Sequence, residues 1–218
     1  MEPVQLPTRE RIVETATDIF GKNGFKATTI RMIANEAGVN VASINYYFGD
    51  KEGLYTEVIE TLFSKGFSRY PSVQPGSEAG VSAEERLLMF IRGTLYRLIS
   101  PDGWGGIAGS GRLIVKEMLE PTAAFDKVVD KYIRPHKDVL VGILREIVGE
   151  EIPVERILLC VVSILGQCIY YAAGTHIIAR IASEYLPVEK NMDEIVGHVH
   201  RFSLGGLERI KQECKEAL

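Results

Sequence analysis

Residues 28–51 read TTIRMIANEAGVNVASINYYFGDK, and two short helical patterns meet inside this stretch. Ile30, Ile33, Ala34 and Ala37 recur at the spacing of one helix face, with Thr28 or Thr29 placed to cap the first turn. Gly38 follows where the chain must reverse, since glycine tolerates the positive φ that tight turns often need. Asn40 is positioned to cap a second helix over 41–47. Ile44 and Phe48 can pack back onto the first helix, which leaves Val41, Ala42, Ser43, Asn45, Tyr46 and Tyr47 to face outward. Two helices joined by a short glycine-containing turn form the helix-turn-helix unit, whose second helix enters the major groove of DNA. The outward set suits that role. Asn45 can pair bidentately with adenine, Ser43 can bond several bases and Ala42 can touch a thymine methyl. Tyr46 and Tyr47 can donate to phosphates, which position the protein without reading sequence. The full set of candidate DNA contacts is Thr28, Thr29, Arg31, Asn40, Val41, Ala42, Ser43, Asn45, Tyr46, Tyr47 and Lys51.

The same residues carry a family resemblance. Thr28, Thr29, Ile33, Ala34, Ala37, Gly38 and Val39, followed by Tyr47, Phe48, Lys51 and Leu54, resemble the run that marks the TetR family of bacterial transcription regulators. The likeness covers about residues 9–62. Asn45 stands where the family usually carries its first tyrosine, so base preference does not transfer from relatives. Farther on, Glu120-Pro121-Thr122-Ala123-Ala124-Phe125-Asp126, Ile133-Arg134-Pro135-His136 and the run from His198 to Leu207 resemble the C-terminal domain of the CecR-like branch of that family. The resemblance implies an operator-binding homodimer whose second domain takes a small apolar or amphipathic effector ligand.

Charge alone does not announce a DNA-binding protein. The net charge is −4, and residues 1–51 carry six basic and six acidic side chains. DNA binding then needs the basic groups gathered on one face and a dimer to double the contacts. Three cysteines, Cys160, Cys168 and Cys214, give no disulfide framework and point to a reducing cytoplasm. Cys160 and Cys168 share a helix face, where buried packing is the simplest role. The N-terminal residues show no apolar run of the kind a signal peptide carries.

Along the chain the pattern is helical throughout. A helix over 8–23 has Thr8 as its expected cap and Ile12, Val13, Ala16, Ile19 and Phe20 as its apolar stripe, ending at Gly24. Arg9 and Arg11 in its first turn are available to phosphate. Asp50 caps a helix over 51–64 that leaves the reader and enters the second domain. Residues 70–80 form a loop rich in proline and glycine. A helix over 82–100 opens on a Ser82–Glu85 capping box. Residues 101–111 hold five glycines, but they lack the Gly-Lys-Ser/Thr ending of a phosphate-binding loop, and no strand precedes them. They are expected to form a mobile loop carrying Trp104. A short helix over 112–120 and a long one over 123–148 follow, the latter kinked near 132–134 by Pro135. Residues 157–179 carry no formal charge, and Gly174 should divide them into helices over 154–173 and 176–185. The last helix spans 191–215.

These readings give an all-α fold with an N-terminal three-helix DNA-binding domain, residues 1–52, and a larger ligand-binding and dimerisation domain, residues 53–218. The uncharged run 157–173, centred on Ile164, and the apolar stripe of the last helix should pair with their copies about a two-fold axis. Ser163, Gly166, Gln167 and His176 argue against that run crossing a membrane, so no membrane partner is expected. No histidine pair, cysteine cluster or nucleophile motif has the spacing of a metal or catalytic site, and no cofactor is implied. The second domain instead offers Tyr96, Trp104, Met118, Phe125, Tyr132, Gln167, Cys168 and Tyr171 as candidate walls of an apolar pocket. A helical enzyme or a scaffold that does not act on DNA are the competing readings.

Overall fold

The computed structural model describes residues 7–71, 80–106, 110–182 and 188–216. Among them are eleven α-helices and no strand: α1 Thr8–Ala27, α2 Ile30–Ala37, α3 Val41–Phe48, α4 Lys51–Arg69, α5 Ala83–Ile99, α6 Gly111–Leu119, α7 Ala123–Val128, α8 Arg134–Val148, α9 Val154–Ala173, α10 Thr175–Ile181 and α11 Met192–Glu216. Two apolar cores organise them. The first gathers Ile12, Ala16 and Phe20 of α1, Ile33 and Ala37 of α2, Ile44 of α3 and Leu54, Val58 and Ile59 of α4. It continues without a break into Trp104, Leu113, Ile114, Ala124 and Val128. The second joins α5, α8, α9 and α11 through Leu87, Ile91, Leu95, Leu140, Leu144, Ile157, Ile164, Val196 and Val199. Helix α4 therefore belongs to the reader at its start and to the larger body at its end.

Several helix ends follow the expected chemistry. Thr29 Oγ1 accepts from Met32 N at the start of α2, Asn40 Oδ1 from Ser43 N at α3 and Asp50 Oδ1 from Gly53 N at α4. The Ser82–Glu85 capping box opens α5. Other ends differ from expectation. Thr8 is the first residue of α1 and does not cap it; Pro7 stands at the cap position, where its fixed φ suits a helix start. Gly24 does break α1, with φ 80°, but one more turn forms before α2 begins. Helix α4 runs on to Arg69, beyond the expected residue 64, because Phe63, Gly66 and Phe67 also find buried or half-buried contacts.

The expected bend at Pro135 takes a particular form. Residues Val129–Ile133 make a π-helical turn between α7 and α8, closed by the Arg134 N–H bonding to Val129 O. Proline has no N–H to donate and its ring crowds the preceding turn, so the ladder widens just upstream of it. The glycine-rich segment differs from the expected mobile loop. Trp104 N donates to Arg97 O at 2.7 Å, Gly111 N to Trp104 O at 2.7 Å, and both Gly103 and Gly105 donate to Ser100 O. Trp104 is buried, and its Nε1 donates to Leu62 O at 2.8 Å. A Cβ on Gly66 would collide with that indole nitrogen, so Gly66 is what lets the ring lie against α4.

Helix α9 is long and apolar enough to cross a membrane by length and composition alone. Here Ile157, Val161, Ile164 and Cys168 turn into the second core, while Leu159 and Val162 face outward. Ile164 thus lies inside the chain's own core and not on the outer face, contrary to its expected central place in a dimer contact. Gly174 separates α9 from α10 as expected. Residues 183–185 of the helix expected there, most of the loop 70–80 and residues 1–6 lie outside the described residues.

Candidate functional site

The helix pair α2–α3 is held by its turn. Gly38 adopts φ 63° and ψ 39°, a left-handed conformation that costs glycine nothing, and Val39 N bonds back to Ala34 O at 3.0 Å. Ile44 is fully buried and Phe48 half-buried, which fixes the rotation of α3. Its opposite face is open: Val41, Ala42, Asn45, Tyr46 and Tyr47 are exposed and Ser43 half-exposed. The Tyr46 and Tyr47 rings meet edge-on at 5.2 Å, and Tyr46 is the most open, at 83%. Thr29, Arg31 and Asn40 are exposed beside this face, and the Thr29 and Asn40 side chains serve as caps.

The structure assigns other members of the candidate set inward tasks. Thr28 is wholly buried and donates from Oγ1 to Gly24 O at 2.8 Å, so it closes the end of α1 instead of facing outward. Lys51 donates to the carbonyls of Phe25 and Thr28 and sits 4.3 Å from the Phe25 ring centre. It ties the start of α4 to the end of α1. Arg9 pairs with Glu57 at 2.8 Å and lies over the Phe48 ring, and Arg11 Nε donates to Ala37 O. Both arginines brace the three-helix unit, which accounts for them without phosphate.

A cavity of about 370 Å³ lies beyond α4. Phe63 and Phe67 of α4, Leu98 of α5, Trp104, Ile114 and Met118 of α6, Phe125 of α7, Val129 and Ile133 of the π turn, and Leu165 and Ile169 of α9 wall it. Thr94, Arg97 and His136 add the polar part of its wall. Three of the eight sequence candidates, Trp104, Met118 and Phe125, line this space. The other five do not. Tyr96 donates to Asp193 at 2.9 Å on another surface. Tyr132 stacks on Phe67 at 5.6 Å, behind the wall. Gln167 bonds Ser163 O and borders a groove between α9 and α11. Cys168 is fully enclosed in the second core, where burial pushes its thiol up to about 12, and Tyr171 packs beside that core.

Arg97 and His136 were missed. Arg97 is only 2% exposed. Its Nη1 donates to Tyr70 O at 2.8 Å, its Nη2 lies 3.0 Å from His136 Nε2 and 3.3 Å from Thr94 Oγ1, and its guanidinium carbon sits 3.8 Å from the Phe67 ring centre. Burial lowers the guanidinium pKa to about 9. A guanidinium can only donate, so Nε2 of His136 is the acceptor and the imidazole carries its proton on Nδ1. Burial, with the nearby Arg97 cation second, lowers the His136 pKa to about 3. The ring stacks on Phe90 at 4.2 Å. A sequence signal existed for Arg97, an arginine set among Leu95, Leu98 and Ile99. Its partner His136, 39 residues away, closes the Ile133-Arg134-Pro135-His136 run that carries the CecR-like resemblance, but nothing in that run points to Arg97. Among the described residues no cluster of histidine, cysteine or carboxylate side chains could hold a metal ion.

Comparison with known proteins agrees with this layout. Residues 83–207 match the family profile "HTH-type transcriptional dual regulator CecR, C-terminal domain", and residues 12–58 match "Bacterial regulatory proteins, tetR family". The chain is 27% identical over 175 residues to the HTH-type transcriptional dual regulator CecR of Shigella flexneri, covering 76% of each chain. It is 33% identical over 88 residues to the probable HTH-type transcriptional regulator YttP of Bacillus subtilis (strain 168), a match that spans 40% of this chain and 42% of that one. Among solved structures, the regulator FadR from Bacillus subtilis in complex with stearoyl-CoA superposes with a TM-score of 0.62 at 16% identity, over 90% of this chain and 98% of the other. The ketosteroid regulator KstR2 of Mycobacterium tuberculosis gives 0.59 at 18% identity, over 93% and 96%. These structural likenesses establish the fold.

Proposed function

The chain belongs to the TetR family of bacterial transcriptional regulators and carries a CecR-type C-terminal domain; from that premise we propose that it is a homodimeric repressor that leaves its operator when a small apolar or amphipathic effector enters the cavity behind α4. The observation that carries the DNA-binding half is the open face of α3. Ala42, Asn45, Tyr46 and Tyr47 stand clear of a helix whose other side is locked by Ile44. Residues 1–52 act as the reader and residues 53–218 as the effector-binding and dimerising body. Acting on operator DNA places the protein in the cytoplasm.

Two further features support the reading. The outer faces of α9 and α11 leave Leu159, Val162 and Phe202 about two-thirds exposed, at 68%, 68% and 67%. A shallow groove between these helices, bordered by Ser163, Gly206 and Ile210, can receive the same faces of a second copy in a four-helix contact. A dimer sets two reader helices against successive major-groove faces, roughly 34–36 Å apart. Helix α4 then carries the signal. Its Phe63 and Phe67 wall the cavity, while its first turn is tied to α1 through Lys51. An effector that prefers the conformation with the wrong reader spacing releases DNA.

The test is binding of the purified protein to palindromic DNA from its own upstream intergenic region, followed by fluorescence anisotropy at several salt concentrations. Specific, salt-sensitive binding at one dimer per palindrome is expected. Asn45→Ala should cost about 1–3 kcal/mol and relax preference at one base step. Equal affinity for the palindrome and scrambled DNA would overturn the reading.

A further inference from the structure

The polar and apolar parts of the cavity wall are not equally available. Thr94 and Arg97, one turn apart on α5, are buried, and His136 meets them from α8. These side chains are turned on one another: Arg97 Nη2 donates to both of the others, and the Thr94 hydroxyl lies 3.2 Å from the same imidazole nitrogen. The indole donor of Trp104 points away to Leu62 O. His136 apart, the lining side chains that keep accessible surface are apolar. Phe67, Leu98, Phe125, Leu165 and Ile169 are half-buried, and Met118 is the most open of them. On α4 the Phe63 and Phe67 rings stand 6.3 Å apart at 19° to one another, so a flat molecule can lie along both.

We propose that the effector is an uncharged, compact aromatic molecule of about two or three fused rings, seated between the α4 rings and Phe125 with Met118 against its edge. This deepens the effector half of the proposed function and rests on that reading. A charged group of either sign that enters the cavity gives up its water against carbon and sulfur, because the polar side chains of the wall are engaged with one another. An uncharged ring system loses little water and gains contact with every open side chain. Ring–ring and sulfur–ring contacts add to that area burial. The volume, about 370 Å³, lies near the small end of ligand pockets, roughly 300–1,000 Å³, which favours a compact body over a long chain. Met118 is unbranched and partly free, so it can shift to fit rings of slightly different outline.

The experiment uses the full chain and titrates it by calorimetry with 2-acetonaphthone, 2-naphthoate, 2-naphthylmethylammonium and 1-decanol. The ketone should bind about tenfold or more tighter than either ion of its shape, and tighter than decanol. An ion or a chain alcohol that binds as tightly as the ketone overturns the proposal, and so does a ketone that does not bind. Met118→Ala, at an exposed position that should leave the fold intact, should weaken the ketone about threefold or more. An unchanged affinity would place the ketone elsewhere and overturn the proposal as well. The ranking on the unaltered protein stands as a test even where the variant does not fold. Operator binding is measured separately on the same preparation. Operator binding without this ranking sinks the proposal and leaves the regulator reading in place. The ranking without operator binding does the reverse.

Discussion

The Tyr55 hydroxyl donates a 2.6 Å hydrogen bond to Glu117 Oε1 inside the protein, joining the helix that leaves the reader to the helix that walls the cavity. The other carboxylate oxygen accepts from both the backbone N–H and the hydroxyl of Thr122, at 3.0 Å each, where α7 begins. Glu117 is 1% exposed, so these bonds replace the water it has lost. Burial, then the bond to Glu117, pushes the Tyr55 phenol well above its ordinary pKa, which keeps it a donor. Three elements, α4, α6 and α7, thereby share one carboxylate.

Tyr55→Phe removes one of those bonds and leaves a buried oxygen short of a partner. It should lower unfolding free energy by about 1–3 kcal/mol in urea denaturation. Because Tyr55 links α4 to α6, effector-driven release from operator should fall more than operator affinity itself. A variant as stable and as responsive as the parent would show that the clasp is incidental.

Gly66→Ala offers a test with a diagnostic sign. In an ordinary helix interior alanine is favoured over glycine by about 1 kcal/mol. Here the added methyl meets Trp104 Nε1 and must displace the indole from α4. The variant should be less stable than the parent, with tryptophan emission shifted to longer wavelength as the ring meets water. Trp104 is the single tryptophan of the chain, so the emission reports this site alone.

His136 predicts a pH dependence. Its pKa falls from 6.5 in the unfolded chain to about 3 in the folded one, chiefly through burial. Between those values the unfolded chain binds the extra proton. Stability is therefore fully present above pH 6.5 and lost as the pH falls toward 3, by up to about 1.4 kcal/mol per pH unit. Carboxylates titrate in the same range, so the comparison is with His136→Gln. The difference in stability between parent and variant should shrink on acidification. A constant difference across that window would mean the imidazole is not held neutral.

At the proposed dimer face, Val162→Arg and Ile164→Arg should part company. Val162 is open on α9, so the arginine should yield a folded monomer in sedimentation. Ile164 is 2% exposed and packed in the second core, so a charge there should unfold the chain. A folded dimer for Val162→Arg would move the interface elsewhere.

Much of the reader was legible because its signals are local. Gly38, Asn40 and Asp50 act within four residues of where they stand, and the inward Ile44 fixes which side chains of α3 are exposed. The capping box at Ser82 and the disturbance before Pro135 are of the same kind. The cavity was legible only in part, because its wall is assembled by tertiary packing. Trp104 turns inward because Gly66, 38 residues earlier, makes room. Arg97 meets His136 only once α5 and α8 lie together. Thr28 looked exposed from its place in the motif, but the break at Gly24 turns its hydroxyl back onto α1. Composition and spacing do not encode such meetings.

The π-helical turn 129–133 sets how the two halves of the cavity are phased. A helix advances about 100° per residue, so one residue more or fewer swings everything beyond it by that angle. On the near side of the turn Ala124 and Val128 are seated in the first core; on the far side His136 meets Arg97. The wide turn takes up about one residue more than a regular α-helix would place between those two engagements. What this segment encodes is thus an interval more than an identity. Removing one residue inside the turn would let it close into an ordinary α-helical turn with both ends near their present phase, whereas removing one just outside it would swing His136 away from Arg97 by about 100°.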